Sequence, residues 1–257
     1  MNGASKLCIV TAVEIEFNHA AGLLSGKTFS DNSRACQGLY GDRQITILKA
    51  GMGAAGFAER FALHLKPNGY DGLIVAGLAG GLDPKFRAGD AVVYDLCHDG
   101  RNPTSKQIEL VRDDFASIVP YDRLSRSIHD ALLAAGIPAA RGAGLTVDRI
   151  VIDAREKLSF GDASGAAAVD METFDIWSAC AHAGLPFAAL RIVSDEAGHD
   201  LPDFNRAYDA AGRIDAARMA AAMLARPVAT TRFLAHLRPV MRSFRRGLQA
   251  VLDAPLA

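Results

Sequence analysis

Cysteine, tryptophan and any excess of one charge are what this sequence has least of. Its four cysteines, Cys8, Cys36, Cys97 and Cys180, are scattered, with no C-x-x-C and no histidine nearby at metal-ligand spacing. The pattern excludes a disulfide framework and a cysteine-held metal site, and predicts buried free thiols in a reducing compartment. Twenty-eight basic residues stand against 29 acidic ones, a formal net charge of −1, so no overall field favours nucleic acid. No apolar run approaches the roughly 20 residues of a membrane span. The run Leu7 to Val13 is of strand length and too short for a signal-peptide core. A cytoplasmic location is the expectation.

Half of the 257 residues are apolar, enough for one large α/β domain or two small ones. The most informative stretch is Val169 to Gly198, VDMETFDIWSACAHAGLPFAALRIVSDEAG. Val169 to Glu172 ends a short strand and opens a helix, with apolar residues at Phe174, Trp177 and Ala181 in the helical period. The helix stops at Gly184, before Pro186. Phe187 to Val193 is then an apolar run broken only by Arg191, the pattern of a strand buried on both faces, and it closes on Ser194-Asp195. A helix start and a strand's carboxyl end in one αβ unit bring Glu172 and Asp195 to one sheet edge, where open α/β sheets bind ligands.

Two glycine motifs point elsewhere. Ala21 to Thr28, AGLLSGKT, matches a loose phosphate-loop pattern, but a helix precedes it where the loop needs a strand. Gly51-Met-Gly-Ala-Ala-Gly56 is a literal G-x-G-x-x-G between a strand over 44–49 and a helix to about Leu65. That order is right for a dinucleotide site. However, Asp71 precedes the next strand instead of closing it, and the fingerprint does not sit on the opening unit. A dinucleotide-dependent oxidoreductase therefore stays as the rival enzyme. A nucleoside-binding protein without turnover stays as the rival from another class.

Further elements follow in order. Glu14 opens a helix to about Leu24, capped by Gly26, and acids in its first turn suit the helix dipole. Gly72 to Leu82 reads as a buried strand ending in a glycine-rich turn, and Ala91 to Leu96 as a strand. Asp99 to Val119 reads as a long loop with a short helix. Tyr121 to Gly136 is predicted helical, Ala140 to Val147 a strand, and Asp153 caps a helix to about Phe160. From Ala216 to Leu252 there are seven arginines and no Asp or Glu. Leu234, Leu237, Met241, Phe244, Leu248 and Val251 form an amphipathic stripe there. That stripe either packs on the parent domain or a second subunit, or meets an anionic membrane surface through 227–252.

The spacing D-M-E-x(n)-L-P-F-x-x-L-R-x-x-S-D resembles the C-terminal signature of the nucleoside phosphorylase and nucleosidase family. The resemblance implies a three-layer α/β/α fold with a central mixed β-sheet, a catalytic domain over 1–225 and a C-terminal basic amphipathic helical extension over 226–257. It implies N-glycosidic cleavage of a purine nucleoside, with Asp195 as acid to the leaving base, Glu172 gripping the sugar hydroxyls beside Met171, and Glu16 directing a nucleophilic water near Arg191. Ile150 and Val151 would form the base slot, with Ser194, Gly53, Gly77 and Leu78 around the sugar and nucleophile. No metal or organic cofactor is implied, only inorganic phosphate as an alternative acceptor.

Leu78 departs from the family's usual serine and Val75 from an anion-binding arginine. Neither side chain can donate to phosphate, so an anion would need the Gly51–Gly53 N–H groups or Arg191. The basic tail is similar to that of the hopanoid-biosynthesis phosphorylases, which implies adenine release from adenosylhopane, a lipid-linked nucleoside. A nucleosidase of the methylthioadenosine/S-adenosylhomocysteine type is the alternative, and a homodimer the implied assembly.

Overall fold

Apolar residues at successive strand positions fill two cores, one on each face of a sheet, and this alternation builds the molecule. The computed structural model describes residues 6–54, 56–65, 69–101, 115–207 and 215–255. Its strands are β1 (Lys6–Thr11), β2 (Ser25–Ser30), β3 (Ala35–Tyr40), β4 (Arg43–Lys49), β5 (Gly72–Gly81), β6 (Ala91–Asp99), β7 (Ser117–Ile118), β8 (Ala139–Thr146), β9 (Ala168–Asp170) and β10 (Phe187–Asp195). The helices are α1 (Glu14–Ala21), α2 (Phe57–Arg60, prolonged by a wider turn to Leu65), α3 (Asp122–Ala134), α4 (Ala154–Ser164), α5 (Thr173–His182), α6 (Ala216–Ala225) and α7 (Pro227–Asp253).

Leu7, Ile9, Leu190 and Ile192 point into one core with Phe17 of α1, Ile128 and Leu132 of α3 and Phe244 and Leu248 of α7. Cys8, Val10, Ala189 and Val193 point into the other, against Phe57, Ile176 and Trp177. The four cysteines are free and buried. The sheet is mixed and flanked by helices, as expected, with β5 parallel to β1 and to β10. It also closes on itself: β5, β10, β6, β8 and β9 pair in a ring, because Gly80 and Gly81 of β5 pair antiparallel with Val169 and Ala168 of β9.

Several boundaries differ from the sequence reading. The first helix ends at Ala21 with Gly22 as its cap, and Gly26 lies in β2. The AGLLSGKT segment thus runs from a helix into a strand, the reverse of a phosphate loop. Residues 77–81 continue β5 instead of turning; glycine here lets neighbouring side chains and strands come close. Most of the loop expected between Asp99 and Val119 lies outside the described residues. In α7, Met241, Phe244, Leu248 and Val251 are buried in the first core, Leu237 packs at its edge and Leu234 is half exposed. The C-terminal half of the stripe is therefore spent on the sheet.

One close approach gives a direct test. A Cβ on Gly144 of β8 would lie 2.0 Å from a ring carbon of Tyr94, a side chain wholly buried on β6 and edge-on to Trp177. Gly144→Ala is expected to cost about 1–3 kcal/mol through overpacking, read as a lowered thermal midpoint.

Candidate active site

Two glutamates in the first turn of α1 and in the β9–α5 junction meet over the carboxyl half of β5. Glu14 and Glu16 share a turn but behave differently. Glu14 is exposed and pairs with Lys49, whereas Glu16 turns inward and is 2% exposed. Its Oε2 accepts from the N–H groups of Ala12 (2.9 Å) and Val13 (3.1 Å), and its Oε1 from Leu78 N (2.7 Å). Burial raises its pKa, against the lowering pull of Arg191 and those three N–H groups. A Cβ on Gly77 would sit 2.7 Å from Glu16 Oε1 and 2.8 Å from Arg191 Nη1, so only glycine lets both groups lie against the strand. Leu78 contributes its backbone N–H, and its side chain packs towards the first core.

Glu172 sits just before α5. Its Oε1 accepts from Gly53 N at 3.0 Å, and its Oε2 lies 3.4 Å from both Arg191 Nη2 and Met171 N. Burial pushes its pKa up to about 7, with Arg191 opposing and Asp170 and Glu16 adding to the rise. The folded protein thus holds this proton more tightly than the unfolded chain. The linked stability is complete below the ordinary carboxyl value and is lost as pH rises through about 7. Glu172→Gln is expected to make the fall in stability between pH 4.5 and 7 shallower, by up to about 1 kcal/mol per pH unit. Denaturant midpoints across that range check it.

Arg191 lies beneath both glutamates with no exposed surface. Its Nε donates to Asp170 Oδ2 (3.1 Å), its Nη2 to Thr173 Oγ1 (2.9 Å) and its Nη1 to Leu78 O (3.4 Å). Asp170 is the residue that the sequence reading passed over. It also accepts from Thr146 Oγ1 (2.8 Å) and from the N–H groups of Glu172 (3.2 Å) and Thr173 (3.1 Å). The signal was present: an Asp with Thr three positions on, opening a helix, is a capping pattern.

These contacts engage the expected anion donors inside the protein. Arg191 is committed to carboxylates, a hydroxyl and a carbonyl. Gly51 N donates to Ala12 O at 3.0 Å, and Gly53 N to Glu172. The G-x-G-x-x-G turn, with Gly53 at φ 62°, thereby orients a carboxylate instead of a pyrophosphate.

Asp195 stands at the other end of the site, opposite Gly80 in the β5–β10 register, while Arg191 is opposite Gly77. Three residues of strand separate the two positions by about 10 Å. Ser194 Oγ is 2.5 Å from Asp195 Oδ1 and 3.2 Å from Ala79 O. Asp195 Oδ2 is ion-paired with Lys157 Nζ at 2.5 Å. Lys157 is a wholly buried lysine of α4 that also donates to His199 O at 2.7 Å. No local pattern announced it, because a lysine within a helix ordinarily reads as surface.

The base-slot pair divides. Val151 is 3% exposed and belongs to a small core with Leu82 and Leu145, so it is packing and not a free wall. Ile150 is half-buried, its backbone clamped at both N–H and C=O by the Asn205 amide (2.9 Å each). Met171 is half-buried beside Glu172. The structure thus brings together Glu16, Gly77, Leu78, Arg191, Glu172, Met171 and Gly53, with Ser194 and Asp195 further along at the end of β10.

Comparison with known proteins places the family and the fold. Over 209 residues the chain is 26% identical to a 5'-methylthioadenosine/S-adenosylhomocysteine nucleosidase of Shewanella oneidensis, covering 78% of this chain and 88% of that one. A protein of the same name from an Exiguobacterium species is 26% identical over 204 residues, 76% and 87% of the two chains. Among solved structures, futalosine hydrolase of Helicobacter pylori superposes with a TM-score of 0.72 at 16% identity, over 97% of this chain and 98% of that one. The methylthioadenosine/S-adenosylhomocysteine nucleosidase of Colwellia psychrerythraea, in complex with adenine, gives 0.69 at 21% identity over 99% and 98%. The family model of the phosphorylase superfamily matches residues 6–229. The chain belongs to the phosphorylase superfamily, and is an enzyme of the nucleoside phosphorylase and nucleosidase kind.

Proposed function

We propose that the protein hydrolyses the N-glycosidic bond of a 5'-substituted adenosine, releasing adenine, with water as the acceptor. The observation that carries this reading is the arrangement of acids along β5: Glu16 and Glu172 over Gly77, and Asp195 opposite Gly80. Asp195 serves the leaving base, which departs poorly as an anion and needs a proton. Glu172 accepts from the sugar hydroxyls and stabilises the positive charge that grows on the ribose. Glu16, held by three backbone N–H groups and faced by Arg191, orients the attacking water. Met171 and Ile150 flank the nucleoside.

Water is favoured over phosphate because the donors that an anion would need are spent. Gly51 N, Gly53 N and Arg191 are all engaged inside the protein, and two buried carboxylates beside them would repel an anion. The relatives named as nucleosidases support the same choice. A lipid-linked substrate such as adenosylhopane rests on the resemblance of the basic tail alone. A cytoplasmic homodimer without metal or organic cofactor is the setting we expect.

The test is adenine release from methylthioadenosine, S-adenosylhomocysteine, adenosine and adenosylhopane, each with and without phosphate. Release that is independent of phosphate is expected. A strict requirement for phosphate would overturn the hydrolytic reading, and cleavage of adenosylhopane alone would restore the lipid-linked one. Tight binding without release of adenine from any of them would leave a binding protein.

A further inference from the structure

Among the described residues Lys157 is the one buried cation paired with the leaving-group acid, and packing does not explain it. Its side chain has no exposed surface, and its Nζ meets two acceptors, Asp195 Oδ2 and His199 O. It lies in the first half of α4, four residues beyond the Asp153 cap, where the positive end of the helix disfavours a cation. A fully buried lysine is rare, and an apolar side chain often stabilises such a position as well as an ion pair does. A buried charge placed against the acid points to chemistry.

We propose that Lys157 is a positioning residue that stores the proton for the departing base and delivers it through Asp195. The inference rests on the nucleosidase reading above. In the resting pair the proton is on Nζ and Asp195 is a carboxylate. As the C1'–N9 bond breaks, its electron pair goes to the purine. The carboxyl of Asp195 gives a proton to a purine ring nitrogen, and Nζ supplies that carboxyl, leaving a neutral amine. The water that adds to C1' gives up one proton to solvent by way of Glu16, and Nζ regains one from solvent, so charge and atoms balance over a turnover.

Other charged groups sit on the elements around this pair. Glu156 lies on the same helix, Glu196 and Asp200 on the segment after β10, with Asp200 Oδ1 accepting from Ala154 N. Arg232 and His236 of α7 act on His199, whose carbonyl Lys157 holds. None of them is hydrogen-bonded to Asp195; Ser194 and Lys157 are its recorded partners among the described residues.

With Nζ against it, the Asp195 carboxyl has a proton source inside the site; without Nζ the supply is solvent alone, and the pH profile of the rate tells the two apart. The experiment compares kcat against pH for the wild type, Lys157→Met and Lys157→Arg, on whichever of the four nucleosides the wild type cleaves, with thermal midpoints alongside. Arginine keeps the charge and the pairing but does not surrender a proton. The basic limb is expected to move at least about one pH unit lower in the Met variant, about tenfold in rate at a fixed basic pH. Arginine is expected to lose more than Met, because it holds Asp195 charged without resupplying it.

Limbs that coincide with the wild type would overturn the proposal, as would Lys157→Arg with the wild-type rate and profile, since charge alone would then suffice. Should the Met variant not fold, the Arg variant alone decides. Failure of the nucleosidase reading looks different: the wild type itself releases no adenine, and the relay falls with it.

Discussion

Asp195→Asn is expected to lower adenine release by about 10²–10⁴-fold, the usual contribution of a positioned acid. Asparagine keeps the shape but has no proton to give at a ring nitrogen with comparable ease. The substitution also changes more than the reaction. It leaves Lys157, which has no exposed surface, facing an amide instead of a carboxylate. Removing one partner of a buried ion pair ordinarily costs about 3–5 kcal/mol. Two acceptors soften that here, since His199 O remains and an amide oxygen can take the place of Oδ2. The rate should therefore be read at a temperature well below the variant's own midpoint. A variant that is folded, binds adenine and keeps its rate within about tenfold would remove Asp195 from the mechanism.

Arg191→Met is expected to be the most destabilising single change in the site, by about 3–5 kcal/mol. For a chain of this length that is a fall of roughly 6–20 °C in thermal midpoint. Methionine fills much of the volume and can follow the same path, so the loss is not one of packing. It comes from Asp170, Glu172 and Glu16, buried acids that share this one guanidinium. Without it, Glu172, already pushed up to about 7, must hold its proton still more tightly. Stability of the variant should fall more steeply than that of the wild type as pH rises above the carboxyl range. Equal stability at pH 7 would mean that Arg191 is not the counter-charge that its contacts describe. A variant that folds at acid pH alone would show that it is.

Much of this was legible in the chain. The continuous apolar run of Phe187 to Val193, broken by one arginine, announced a strand buried on both faces, and β10 carries alternate residues into the two cores. The capping Asp153 and the stop at Gly184 marked helix ends through local hydrogen bonding and backbone freedom, which short-range sequence controls. The D-M-E and S-D motifs pointed to Glu172 and Asp195, both buried acids of the candidate site. Less legible were the glycines. Gly77 and Gly53 were read as turn residues, but one makes room for two side chains and the other donates its N–H to Glu172 from 119 positions away.

By itself, the sequence determined most of the helices and the central buried strands, which faces are apolar, and which acids stand at the junctions; the strands Ser25–Ser30 and Ala35–Tyr40 carried no such signal. Those properties depend on neighbours within a few positions. Only the tertiary structure decided that Lys157 meets Asp195, that Asp170 joins Glu172 and Glu16 around Arg191, and that the last helix buries its stripe on the sheet. It also decided that the N–H groups open to an anion on paper are already spent. Such pairings follow from strand register and sheet closure, which bring residues tens of positions apart into hydrogen-bonding distance. A one-dimensional pattern does not encode that distance. In a buried site the energy of each charge is set by the partner that arrives there.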